Sequence, residues 1–105
     1  MPGVRPFLAV AAALLLAPAA HASPELARSS NCVACHSIER KMNGPAFKAI
    51  AARYATDEGA LKVLSEKVRA GGGGVWGPMA MPAQANVTPE DAEALVKWIL
   101  SLKDG

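Results

Sequence analysis

Cys32-Val33-Ala34-Cys35-His36 decides how the rest of this chain is read. The run fits Cys-x-x-Cys-His, the attachment sequence of a c-type haem. The chemistry needs that spacing. Two thiols a helical turn apart add to the vinyl groups on one edge of the haem, and the adjacent His stands under the iron as proximal ligand. Cys32 and Cys35 are the only two cysteines in the 105 residues. Their rival readings are a thioredoxin-like dithiol, half of a zinc site and a structural disulfide. His36 favours haem over all three, because a bare Cys-x-x-Cys is common and one followed directly by His is not.

The N-terminus supplies a compartment for that chemistry. Residues 1–22 read as a secretory signal peptide, with Arg5 as a positive n-region and Phe7 to Ala17 as an uninterrupted apolar stretch. Pro18 breaks the stretch, and Ala20-His21-Ala22 is an A-x-A-like cleavage site. The stretch is shorter than the ~20 residues a spanning helix needs. Residues 23–105 are then expected to form one exported domain, without a membrane segment after cleavage. In an exporting bacterium that places the domain in the periplasm.

Composition is read without the leader, which inflates the positive mean hydropathy of the full chain. Arg5 is its only charged residue, so residues 23–105 carry ten Lys+Arg against nine Asp+Glu, a formal charge of +1. That balance argues against nucleic-acid binding, which needs a clustered basic stripe. It also makes steering by net charge weak. A domain this small has a marginal core and usually needs a staple, which a covalently held apolar macrocycle would supply.

The chain after the leader reads as all helix. Ser23 before Pro24 and Glu25 caps a short helix to about Ser30. Phe47, Ile50, Ala51 and Tyr54 recur at helical spacing after Gly44-Pro45. Thr56 or Asp57 is expected to cap a third helix with Leu61, Leu64 and Val68 inward, ended by Gly71 to Gly74. Thr88-Pro89-Glu90-Asp91 opens the last helix with a cap, a proline and acids in the first turn. Leu95, Trp98, Ile99 and Leu102 form its apolar stripe. The glycine run lacks the Lys-Ser/Thr of a phosphate loop. It reads as a helix stop and connector that also lets backbone pass close to a haem edge.

A sixth iron ligand must come from the face opposite His36. His36 is the only histidine outside the leader, so a bis-His site within one chain is excluded. Met42 is too near His36 in sequence to cross the macrocycle. Met79 and Met81 lie in Gly77-Pro78-Met79-Ala80-Met81-Pro82, which the prolines hold extended. Alternation puts both on the same side and does not choose between them. Glu90, Asp91 and Glu93 are explained by the helix dipole and solvation. No Ser/His/Asp set forms, because the one remaining His is committed to iron.

The chain resembles the short bacterial class I cytochromes c of the c-551 type. The resemblance runs through Cys32 to His36, Lys41-Met42-Asn43-Gly44-Pro45-Ala46-Phe47, Gly74-Val75-Trp76-Gly77-Pro78 with Met81-Pro82, and Leu95-Val96-Lys97-Trp98-Ile99-Leu100. It implies an all-α fold of about four short helices wrapped around one covalently attached haem c. Within it Cys32 and Cys35 carry the thioethers, and His36 and Met81 are the axial ligands. Pro45 accepts a hydrogen bond from the proximal His, and Trp76 binds a haem propionate. Lys67 stands where related proteins often carry an Arg near a propionate. Where many relatives have Met-Pro-Pro, this chain has Met81-Pro82-Ala83-Gln84, and Gln84 is the candidate to reach the Met sulfur.

The implied function is one-electron transfer without bond making. Donors among such proteins are membrane cytochrome complexes, and acceptors are nitrite reductases or terminal oxidases. Val33, Ala34, Met79 and Ala80, with Arg40 and Lys41 nearby, are the expected docking rim. Two other functions compete. One is a haem protein with a displaceable Met, acting as a peroxidase or gas sensor, which Met81 beside Pro82 disfavours. The other is a haem-free dithiol oxidoreductase, which the missing βαβ pattern disfavours.

Overall fold

The computed structural model describes residues 24–104. The expected leader and the Ser23 cap lie outside them. Among the described residues are four α-helices: α1 Pro24–Ser29, α2 Phe47–Arg53, α3 Ala60–Ala70 and α4 Pro89–Leu100. Short 3₁₀ turns cover Cys32–Ala34 and Ser101–Asp104. No strand forms among these residues, only an isolated antiparallel bridge between Gly72 and Met81. The expected all-helical architecture is therefore present.

Helix α4 organises the packing, touching α1, α2 and α3. Its start follows from the sequence. Thr88 Oγ1 accepts the Asp91 N–H at 3.0 Å, Pro89 fills the first helical position and Glu90 and Asp91 sit in the first turn. Its buried face is Ala92, Leu95, Val96 and Ile99. Ala27, Phe47 and Val87 join Ala92, Leu95 and Ile99 in one cluster, flanked by Leu26, Ile50, Val68, Trp98 and Leu102. Burying a side chain such as Leu95 contributes about 1.5–3 kcal/mol. Ala27 of α1 and Ala92 of α4 are almost wholly buried in that cluster. Thr88→Ala is expected to cost about 1 kcal/mol. The guanidinium midpoint should fall while its slope holds; an unchanged midpoint would mean that the hydroxyl does not support α4.

Two expected boundaries shift. Helix α2 ends at Arg53, so Tyr54 becomes its C-cap residue. Helix α3 is capped by Gly59, not by Thr56 or Asp57. Asp57 is spent one turn earlier: its carboxylate accepts the Gly59 N–H at 2.9 Å and its carbonyl accepts the Ala60 N–H at 3.1 Å. The face of α3 expected to point inward is only half-buried at Leu61, Leu64 and Val68, and Ala60 is the buried residue of that helix.

Candidate functional site

The Cys-x-x-Cys-His stretch is set by a sharp exit from α1. The Ser30 N–H bonds the Leu26 carbonyl and the Asn31 N–H the Arg28 carbonyl, at 2.9 and 3.0 Å. Asn31 then takes a left-handed conformation, φ 65°, which Asn tolerates better than most residues. A 3₁₀ turn follows, in which the N–H groups of Cys35 and His36 both reach the Cys32 carbonyl, at 3.1 and 3.0 Å. Side chains three apart eclipse in such a turn, so it aligns Cys32 with Cys35. Both thiols are free and half-exposed. Burial pushes the Cys32 thiol above its ordinary value, and a backbone hydrogen bond offsets this in part. A dithiol enzyme needs the opposite shift, because the thiolate is the reactive form.

Beyond His36 the chain loops out and returns. Gly44 N–H bonds the Cys35 carbonyl at 2.8 Å, and Phe47 N–H bonds the Ser37 carbonyl at 2.8 Å. Lys48 and Glu39 pair across the loop at 2.9 Å. The return delivers Pro45: its carbonyl accepts from His36 Nδ1 at 2.7 Å. A carbonyl only accepts, so Nδ1 carries a proton, and in the neutral imidazole Nε2 then keeps its lone pair. That is the form a metal-ligating imidazole takes.

Met79 and Met81 do not share an environment, although extended alternation treats them alike. Met79 is 61 % exposed, while Met81 is half-buried. Met81 is also pinned, its N–H and carbonyl bonding Gly72 at 2.7 and 3.0 Å. The glycine run makes that pairing possible. A Cβ on Gly71 would stand 2.7 Å from Met81 O, and one on Gly73 3.1 Å from Ala80 Cα. The close approach that these glycines permit here is to segment 80–83. Gln84 Nε2 donates to Pro82 O at 3.4 Å, so the bond it makes is not to the Met81 sulfur.

Trp76 is partly exposed, and the cation stacked on it is Arg53, with Cζ 4.9 Å from the ring centre. Arg53 also donates to Val75 O at 3.3 Å. Lys67 runs alongside Gly72, where a Cβ would meet its Cε at 3.2 Å. The sequence reading missed Arg53, whose spacing on α2 carries no sign of a partner in the 74–77 loop.

These residues fit a c-type haem. An imidazole with a free Nε2 stands beside two aligned thiols, and the core leaves Met42, Val75, Trp76 and Met79 exposed. Apolar side chains of that kind suit an apolar macrocycle. No group of three or more His, Cys, Asp and Glu side chains among the described residues could hold a bare metal ion.

Fold and site together define a small helical protein of the c-type haem class. The cytochrome c family model matches residues 21–103, and the chain belongs to that family. Cytochrome c-552 of Nitrosomonas europaea is 50% identical over 93 residues, covering 89% of this chain and 90% of the relative. Cytochrome c-551 of Stutzerimonas stutzeri is 46% identical over 99 residues, covering 93% and 94%. The crystal structure of wild-type Nitrosomonas europaea cytochrome c552 superposes with a TM-score of 0.75 at 48% identity, over 76% of this chain and 99% of that one. The chain is thus a small monohaem c-type cytochrome, an electron carrier with one covalent haem c.

Proposed function

We propose that this chain works in the periplasm, with Cys32 and Cys35 as the thioether anchors and His36 and Met81 as the axial iron ligands. It would take electrons from a membrane cytochrome complex and deliver them to a nitrite reductase or a terminal oxidase. The observation that carries the ligand assignment is the 2.7 Å bond from His36 Nδ1 to Pro45 O, which leaves Nε2 to the metal.

The bound haem supplies the one-electron Fe(III)/Fe(II) couple. The chain's own residues set its conditions. Pro45 orients the imidazole and raises its basicity. Met81, held against Gly72, offers a neutral thioether that favours the ferrous state. Trp76 and Lys67 would hold the propionates. The Trp76 part is supported by Arg53, which braces the indole and the Val75 carbonyl. With His36 and Met81 both holding the iron, no position would remain for oxygen or substrate, which favours a carrier over a peroxidase or gas sensor. Val33, Ala34, Met79 and Ala80 are exposed, as are Arg40 and Lys41, in keeping with a small, transient docking rim.

The deciding experiment starts from the soluble periplasmic fraction of an exporting bacterium. The purified protein should be red, with sharp reduced-haem bands and a weak near-red band from iron–sulfur ligation when oxidised. It should not take up carbon monoxide at neutral pH. A colourless protein would defeat the proposal. A red protein that binds carbon monoxide readily would favour the displaceable-Met sensor. Reduction assays against candidate complexes then identify the partners.

A further inference from the structure

We propose that Phe47 and Gly44 clamp the plane of the His36 imidazole, with Phe47 as a positioning residue for electron transfer. The inference rests on His36 being an iron ligand. The second torsion of a His side chain is broad and weakly defined by itself. The bond to Pro45 O fixes where Nδ1 points but tolerates a wide range of ring tilts. Two neighbours of the ring supply what is missing. Phe47 stacks on it at 5.0 Å between centres and 18° between planes. Gly44 also lies against it, where an added Cβ would stand 2.6 Å from Cε1, 2.9 Å from Nδ1 and 3.0 Å from Nε2. The ring therefore sits against bare backbone, and a turn out of plane drives it into Gly44 or off Phe47.

Phe47 is itself immobilised. It is 2 % exposed, and Trp98 of α4 meets it edge-on at 5.5 Å and 73°. Its N–H is tied to Ser37 O at 2.8 Å. The imidazole plane is thus referred through Phe47 and Trp98 to the core, not to the 38–43 loop alone. In a low-spin ferric haem that plane helps to select which of two nearly degenerate iron orbitals holds the unpaired electron. A ring held in one plane would present the same ligand geometry to the iron in both oxidation states, so little rearrangement would accompany each electron.

The test uses the holoprotein and the variants Phe47→Leu and Phe47→Tyr. Leu keeps apolar bulk without a flat face, whereas Tyr keeps the face. The readouts are the spread of the haem methyl proton shifts in the ferric state and the self-exchange rate from line broadening. Phe47→Leu is expected to change the methyl spread and to slow self-exchange about threefold or more, as an off-plane ring must be reset at each transfer. Phe47→Tyr should keep the native pattern. Lost packing alone would lower stability in both variants without reordering the methyls. A Phe47→Leu protein with native spread and native exchange overturns the clamp. The unmutated protein gives an independent check: in its ferrous spectrum the His36 ring protons should show nuclear Overhauser contacts to the Phe47 ring and to the Gly44 α-protons, and their absence counts against the proposal even if Phe47→Leu fails to fold. Ligand imidazole protons, shifted far upfield in the ferrous spectrum, separate the two assignments. Without them the His36 ligation and the clamp both fall; with them, an unchanged Phe47→Leu spectrum removes the clamp alone.

Discussion

Met81→Ala is expected to open the iron to carbon monoxide and cyanide, to abolish the near-red band and to lower the potential, whereas Met79→Ala leaves all three as they were. The contrast follows from how the two side chains are held. Pro78 and Pro82 restrict the segment to extended backbone, so sequence alone gives both methionines equal claim. Tertiary structure separates them. Met81 is half-buried and hydrogen-bonded to Gly72 in both directions, while Met79 stands 61 % exposed. A ligand that must stay on the iron through every cycle needs the pinned position. Loss of a neutral thioether, with water in its place, removes the preference for the ferrous state. Axial ligands move haem potentials over about 0.8 V in all, so a fall on the order of a tenth of a volt or more is expected. Redox titration and carbon monoxide difference spectra measure both effects. The reverse outcome, with Met79→Ala open and Met81→Ala closed, would transfer the sixth ligand to Met79.

The local parts of this architecture were legible because they depend on neighbours in sequence. Thr88-Pro89 spells a helix start through one side-chain bond and one missing N–H, and the stripe Leu95, Ile99 needs only the helical period. The haem turn was legible for the same reason, since Cys32 to His36 are contiguous. What stayed hidden are contacts made by loops. Phe47 read as one member of a helix face, and nothing in its spacing shows that a returning loop lays it on His36. Arg53 on Trp76 is hidden likewise, because the position of the 74–77 loop is set by glycine geometry. The third cap was misplaced because Asp57 can serve either a helix N-terminus or a turn before it, and here its carboxylate closes the turn on the Gly59 N–H. Met81 lies between these cases: its family position is visible in Met81-Pro82, but its distinction from Met79 comes from the pairing with Gly72.

That pairing makes Gly71→Ala the most damaging single methyl group in the loop, with Gly74→Ala as its control. Gly71 has φ 77° and ψ −176°, a region open almost only to glycine, where a side chain costs about 1–3 kcal/mol. Its Cβ would also stand 2.7 Å from Met81 O and 2.8 Å from Ala83 N, both backbone atoms that no rotamer change can move. Relief requires segment 81–83 to shift away, which breaks the Gly72–Met81 bonds. Strain and overlap together should cost about 2–5 kcal/mol. Gly74 also has a positive φ, 93°, but a Cβ there meets nothing within 4 Å. Gly74→Ala should therefore cost only about 1–2 kcal/mol of backbone strain. Guanidinium unfolding measures the difference, and the near-red band shows whether it reaches the iron. The band should weaken in Gly71→Ala, with carbon monoxide gaining access at neutral pH, and persist in Gly74→Ala. Equal losses with both bands intact would reduce the glycine run to a helix stop and a connector. Unequal losses with a weakened band tie the end of α3 to the sixth ligand, because the bonds that Gly71 protects are the ones that hold Met81.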